Sequence, residues 1–319
     1  WARTRRTGIE QHMKIHPIIL AIFSVAVAVQ GHADPLRVVS TTTDLAALTE
    51  AVGGDLVDVQ AIARGTQDPH FVDARPSFMR RMRGADLLVY NGLELEIGWL
   101  PLLVDGSRNR QLQAGESGAL NASTGLPILE IPTMELDRSH GDIHPEGNPH
   151  YTLSPLQGRQ IAGTIATRLQ HLRPDDAAQI DRQCEQFVAR LDSQISQWEQ
   201  LAEPWRGMKV IAHHKQWEYL ADWLGLEIVA YIEEKPGIPP TPRHVRDLVR
   251  LIETQEISLI LRSTFVDARP AQRLAERTMA RVVELPAAVG AADGSNDYIS
   301  LFHVILRRLE TSMPTTEGG

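Results

Sequence analysis

Cysteine is almost missing from this chain of 319 residues: the only one is Cys184. No internal disulfide is therefore possible, and no cysteine lies near the amino-terminal apolar run to accept a lipid. Cys184 itself falls in a helical pattern and reads as a small packed residue rather than a nucleophile or ligand. Positive charge is also scarce. Lys and Arg number 32 against 40 Asp and Glu, giving a net charge of −8, and no basic cluster appears beyond the amino terminus. A phosphate backbone needs a basic face, so the balance argues against nucleic acid as a partner while leaving small cations open. Long hydrophobic runs are lacking too. The longest, Ile18 to Val29, falls short of the roughly 20 residues that span a bilayer.

That short run has a specific setting. Met13 and the charged Lys14 precede it, and Gly31-His32-Ala33 follow it. Charged, apolar and small-residue regions in this order are those of a secretory signal, with cleavage expected after Ala33. The alternative is an amino-terminal membrane anchor, which no second hydrophobic segment supports. Residues 1–33 are thus expected to be upstream residues plus a cleaved signal, and the mature protein to be periplasmic, without a lipid anchor and monomeric.

What is present is an alternation. Short apolar runs at 36–42, 57–63, 85–92 and 127–131 read as strands, with helix patterns at 44–53 and 76–85 between them. The rhythm returns at 209–214, 226–232, 257–265 and 281–286. Strand and helix alternating in this way predict α/β architecture with mainly parallel, doubly wound sheets. Between the two sets, residues 156–203 carry almost only helix signals, broken at Arg173-Pro174-Asp175-Asp176. Proline followed by acids suits a helix start. The expected organisation is an N-terminal lobe over 34–155, a helical spine over 156–205 and a C-terminal lobe over 206–319.

Twelve histidines are present, and three stand out by position. His70 follows Pro69 in "QDPHFVDARPS", His150 follows Pro149 in "GNPHYTLSP", and His214 ends the fifth expected strand in "VIAHHKQWEYL". Each of the first two sits in a Pro-His-aromatic core, where proline fixes φ and removes a donor. All three fall after strands, and doubly wound sheets collect ligands outside the carboxyl ends of their strands. Three neutral imidazoles at one point suit a borderline ion, zinc first. Taken singly, each histidine has the plainer reading of a turn or buried polar residue.

The motifs "DPHFVDARPS", "GNPHYTLSP", "IAHHKQWEYLADWLGLE", "PGIPPTPRHV" and "ELPAAVGAADGSNDY", in this order, resemble those of the zinc- and manganese-binding solute-binding proteins of ABC transporters. The resemblance runs from about Leu36 to Leu309. It implies two α/β lobes joined by a rigid helix, one transition-metal ion in the cleft between them, and delivery of that ion to an ABC permease in the inner membrane. Carried over position by position, the metal ligands are His70, His150 and His214, and histidine rather than glutamate at 214 is the zinc-type pattern. Zn2+ is the expected cargo, Mn2+ the lesser alternative, and a periplasmic zinc chaperone is a further expected partner. His213 matches a non-ligand position.

The fourth ligand departs from that pattern. Where many members carry an acid, this chain has "ELPAAVG" with Pro286 at or beside the place, leaving Glu284, Asp293, Asp297 or water open. Asp297, ahead of Tyr298, also reads as a helix N-cap. The segment "SHGDIHPEGNPH" (139–150) holds His140 and His144 with Asp142 and Glu146, in the place where zinc-type members carry a His- and acid-rich insertion. It reads either as a loose zinc collector or as a solvated loop. An exported zinc hydrolase is the rival class, since three histidines with an open position also activate water. Against it stand the lack of HExxH, of Gly-x-Ser-x-Gly and of a second ligand cluster. No enzyme activity is expected, and the missing lipid-anchoring cysteine disfavours a surface adhesin.

Overall fold

The computed structural model describes residues 1–2, 34–132, 144–235 and 238–313. The chain divides into Trp1–Asp34 and Pro35–Gly319, and everything below concerns the second unit. The expected signal sequence lies outside the described residues, as do His140 and Asp142. Among the described residues no helix is long and apolar enough to cross a membrane.

The first sheet contains β1 (Leu36–Ser40), β2 (Val57–Ala61), β3 (Leu87–Tyr90) and β4 (Ala119–Asn121) in the order β2-β1-β3-β4. The second contains β5 (Lys209–Ala212), β6 (Glu227–Tyr231), β7 (Leu259–Ser263) and β8 (Arg281–Leu285) in the order β6-β5-β7-β8. All pairings are parallel. Strands such as β7, buried at every residue, show why the sequence reads as unbroken apolar runs: helices cover both faces, so no residue is turned to water. Each sheet reverses its strand order beside the first strand, at β1/β3 and at β5/β7, and such switch points open a crevice at the strands' carboxyl ends.

The helices are α1 (Thr43–Gly53), α2 (Pro76–Arg83), α3 (Leu100–Ser107), α4 (Pro155–Leu172), α5 (Ala177–Ala202), α6 (Glu218–Leu224), α7 (Pro242–Gln255), α8 (Ala268–Ala275) and α9 (Tyr298–Ser312). Local chemistry starts several of them. Thr42 caps α1 by accepting from the Leu45 N–H, Thr241 caps α7 through the His244 N–H, and prolines open α2, α4 and α7. Pro174–Asp176 forms a 3-10 turn, so α5 begins at Ala177 rather than at the proline.

The outer faces of the two sheets have separate apolar clusters, one with Met82, Trp99 and Leu103, the other with Ile211, Leu248 and Leu274. Their inner faces share one. Val38, Leu87 and Leu120 of the first sheet join a continuous core with Val210, Leu259 and Val283 of the second, through Ile161, Ile165 and Leu169 of α4 and Phe187, Leu191 and Ile195 of α5. The 26 residues of α5 extend about 39 Å at 1.5 Å per residue. Near its start Gln179 donates to Asp55 at 2.9 Å beside the first sheet. Near its end the Trp198 ring lies 6.0 Å from Trp223 and 5.7 Å from Phe302 of the second lobe. A rigid helix buried in a shared core opposes large lobe rotation, because rotating one lobe would expose that core.

One strand departs from expectation. Residues 127–131 are irregular, and the fourth strand of the sheet is instead the short β4. The backbone of 127–131 finds other partners: the Leu129 N–H donates to the Tyr219 hydroxyl at 2.9 Å, and its carbonyl accepts from the Asn148 N–H at 2.9 Å. Glu130 takes a left-handed φ of 57°, which no strand tolerates. Ile128 and Leu129 pack on the core and account for the apolar signal.

Candidate metal site

His70 lies on the loop from β2 to α2. The Asp68 side chain accepts from its backbone N–H at 2.9 Å, and the same oxygen holds its ring Nδ1 at 2.7 Å. Upstream, the Pro69 carbonyl is pinned by the Trp99 indole N–H at 2.9 Å. His150 is set by the same device one lobe edge away: the Asn148 side-chain oxygen accepts from the His150 N–H at 3.0 Å, and the Pro149 carbonyl accepts from Asn91 at 2.9 Å. In both loops an Asx side chain two residues ahead closes the turn that proline has prepared. His214 follows β5 in the second lobe. Because β6 runs parallel to β5, the Ile232 and Glu233 N–H groups bond to Ala212 and His213, which places the Glu233 carboxylate 2.8 Å from His214 Nδ1.

These three imidazoles converge. One nitrogen from each of His70, His150 and His214 lies within 4.8 Å of the others, and all three side chains are half-buried. Ring centroids are 5.2 Å apart for His70 and His150, 6.0 Å for His70 and His214, and 5.9 Å for His150 and His214. With Nδ1 of His70 held by Asp68 and Nδ1 of His214 held by Glu233, the Nε2 atoms are left to face the centre. A carboxylate on the far nitrogen fixes tautomer and ring direction and makes the free nitrogen more basic. His144 joins from the segment ahead of His150, its Nε2 3.1 Å from Nε2 of His70.

Electrostatics sort the rings. Burial pushes the pKa of His150 well below the usual imidazole value, and the neighbouring His70, His214 and His144 add to the shift. Burial, then His70 and His214, lower His144 to about 4. Burial also disfavours charge on His214, but the Glu233 carboxylate outweighs it and the pKa is raised. For Asp68 burial acts upward, and the bond to His70 more than cancels it, holding the carboxylate below its ordinary range. Neutral rings backed by ionised carboxylates are what a divalent cation requires of nitrogen donors.

The neighbourhood is braced across the lobes. The Tyr219 hydroxyl of α6 donates to the Asn148 carbonyl at 2.9 Å, while the Asn148 amide donates to Glu218 at 2.9 Å and Glu130 at 3.0 Å. Tyr231 in turn donates to Glu218 at 2.7 Å. The loop that bears His150 is thereby tied to both lobes.

His213, which also faces Glu233, is buried and stands outside the group of three. The carboxylates weighed for a fourth position lie elsewhere in role. Glu284 pairs with Arg262 and Arg308, Asp297 caps α9 in a reciprocal bond with Ser300, and Asp293 sits exposed in a turn. None belongs to the histidine group, and Ala287 and Ala288 line the small cavity beside His150. Sequence reasoning singled out the three histidines but missed Asp68, Asn148, Asn91 and Glu233. The signal for the first two was present: "DPH" and "NPH" share an Asx at the same offset.

Two parallel-sheet α/β lobes on a rigid helix, with imidazoles at the facing sheet edges, define a metal-binding solute-binding protein of the ABC-transporter type. The chain belongs to the family described as zinc-uptake complex component A, periplasmic (ZnuA), whose model matches residues 38–312. Among curated relatives, the zinc-binding lipoprotein AdcA of Streptococcus pneumoniae (strain ATCC BAA-255 / R6) is 24% identical over 246 residues, covering 76% of this chain and 48% of AdcA. This chain thus spans about half the length of that relative. The manganese ABC transporter substrate-binding lipoprotein PsaA of Streptococcus pneumoniae serotype 4 is 22% identical over 248 residues, covering 76% of this chain and 77% of PsaA. A crystal structure of ZnuA superposes with a TM-score of 0.73 at 22% identity, covering 88% of this chain and 99% of that one, which is a likeness of fold. The relatives are substrate-binding proteins of transporters rather than enzymes.

Proposed function

We propose that this protein captures one Zn2+ in the cleft between its lobes through His70, His150 and His214 and presents it to an ABC permease of the inner membrane. The observation that carries the reading is the convergence of three half-buried imidazoles from two lobes to within 4.8 Å. Zinc rather than manganese is favoured by the donors: imidazole nitrogen suits zinc, whereas manganese prefers carboxylate and water oxygen. Here Asp68 and Glu233 are turned to the outer nitrogens of His70 and His214, so their oxygens support the rings. The relatives named for zinc and for manganese make this the distinction to test.

In this reading the mature protein works in the periplasm without a lipid anchor, as a monomer of two lobes (34–155 and 206–319) on the spine of 156–205, and receives metal from solution or from a periplasmic chaperone. Equilibrium dialysis of metal-free protein against Zn2+ and Mn2+ tests it. One Zn2+ per chain, undisplaced by excess Mn2+ and lost in His214→Ala, is the expected result. Full zinc retention by His214→Ala, or preference for Mn2+, overturns it.

A further inference from the structure

His144 is the residue at the cleft whose placement the three-histidine reading leaves unexplained. It is delivered there by a tight turn. The Gly147 N–H donates to the His144 carbonyl at 3.1 Å, and Gly147 has a φ of 107°, with a Cβ there meeting Ile128 Cγ2 at 2.4 Å. Only glycine allows that fold-back, and it returns His144 to the cleft beside His150, six residues on. The ring lies against His70, centroids 5.2 Å apart.

The facing atoms make the contact informative. Asp68 occupies Nδ1 of His70, so in the neutral ring the proton sits there and Nε2 carries a lone pair. The Leu93 backbone offers the His144 ring a hydrogen bond that favours a proton on it. With Nε2 turned to His70, that proton belongs on Nδ1. Leu93 stands in a left-handed stretch, Gly92, Leu93 and Glu94 having φ of 77°, 53° and 61°, a conformation that a bulky residue adopts only when its surroundings demand it. Two lone pairs therefore meet at 3.1 Å, which is unfavourable unless a cation lies between them. Two donors each about 2.0 Å from a tetrahedral zinc are about 3.3 Å apart, close to the separation seen.

We propose that His144 supplies the fourth donor, so that the ion is held by four imidazoles with no carboxylate. The inference rests on the zinc reading above and extends it, placing a histidine from the segment ahead of His150 where Glu284, Asp293 and Asp297 do not reach. A ligand carried on a loop, rather than on a strand end, also supplies a natural entry and exit step: the ion is approached and released by moving one turn.

X-ray absorption on the zinc-loaded full chain, with Zn2+ affinity measured by chelator competition, tests this in the wild type, His144→Ala and His144→Gly. Four imidazoles in the wild type, three in His144→Ala, affinity at least tenfold weaker in the variant, and partial recovery of His144→Gly by free imidazole are expected. One bound zinc with three imidazoles in both wild type and His144→Ala, or affinities within twofold, overturns the fourth ligand and leaves the three-histidine function standing. No bound zinc in the wild type overturns both. If 3.1 Å reflects only a shared proton between the two rings, the wild type shows three imidazoles, which likewise rejects the proposal.

Discussion

The buried carboxylate of Asp44 accepts a hydrogen bond from the Val289 N–H at 2.7 Å, joining the first turn of α1 to the loop after β8 across the cleft. Its other oxygen accepts from the Thr152 hydroxyl at 2.9 Å. No cation faces it, and burial raises its pKa from 3.8 to about 6, with the two hydrogen bonds opposing the shift. The folded value lies above the unfolded one, so the native state binds the proton more tightly. This group then destabilises the fold above about pH 6, and its cost vanishes as the pH falls below about 4. A shift of some two units amounts to roughly 3 kcal/mol. Asp44→Asn keeps the acceptor for Val289 and removes the charge. Urea unfolding of metal-free protein should show the variant more stable than wild type at neutral pH, with the difference shrinking toward pH 4. A pH-independent difference would contradict the assignment.

Tyr219 is the second brace. Its hydroxyl accepts from the Leu129 N–H and donates to the Asn148 carbonyl, each at 2.9 Å. Tyr219→Phe leaves both backbone groups unpaired in a buried place, a loss of about 1–3 kcal/mol. Because Asn148 also positions His150, zinc affinity should fall with stability. A variant with wild-type stability and affinity would show that the bridge is dispensable.

Glu233 should set how acid releases the metal. It raises the pKa of His214 against the effect of burial, so that ring is the first to exchange zinc for a proton as the pH falls. His150, held well below the usual value by burial, stays neutral longer. Zinc affinity is expected to drop between neutral pH and about pH 5. Glu233→Gln should weaken binding at neutral pH by about 10–100-fold and flatten the acid limb. Isothermal titration at several pH values checks both, and a wild-type affinity unchanged down to pH 5 would count against histidine ligation.

The loop after β6 is expected to report occupancy. Glu233 binds His214 directly, and the Ile238 N–H donates to the Lys235 carbonyl at 3.0 Å, so fixing the His214 ring also fixes the root of this proline-rich turn. Hydrogen exchange should slow at Ile232, Glu233 and Ile238 on zinc loading. Equal protection with and without zinc would mean that the loop only packs the cleft wall.

Particular residues show what the sequence revealed and what it hid. The strand-helix alternation was plain because parallel strands covered on both faces leave unbroken apolar runs, as at Leu259–Ser263. The segment 127–131 deceived for the same reason, since Ile128 and Leu129 are apolar through core packing without a partner strand. Three-residue β4 is too short to show a period. At the site, His70 and His150 were marked by a repeated local construction. The pairing of His214 with Glu233, 19 residues away, depends on β5 and β6 lying side by side. The left-handed turn at Leu93 and the return of His144 are tertiary facts with no local pattern to announce them.

The most direct test is anomalous scattering at the zinc edge from crystals of the mature protein loaded with one equivalent of Zn2+. The account predicts a single strong peak between the lobes, about 2.0–2.1 Å from one nitrogen each of His70, His150 and His214. A zinc peak elsewhere, or one at this cleft bound by carboxylate oxygens in place of any of these histidines, would contradict it.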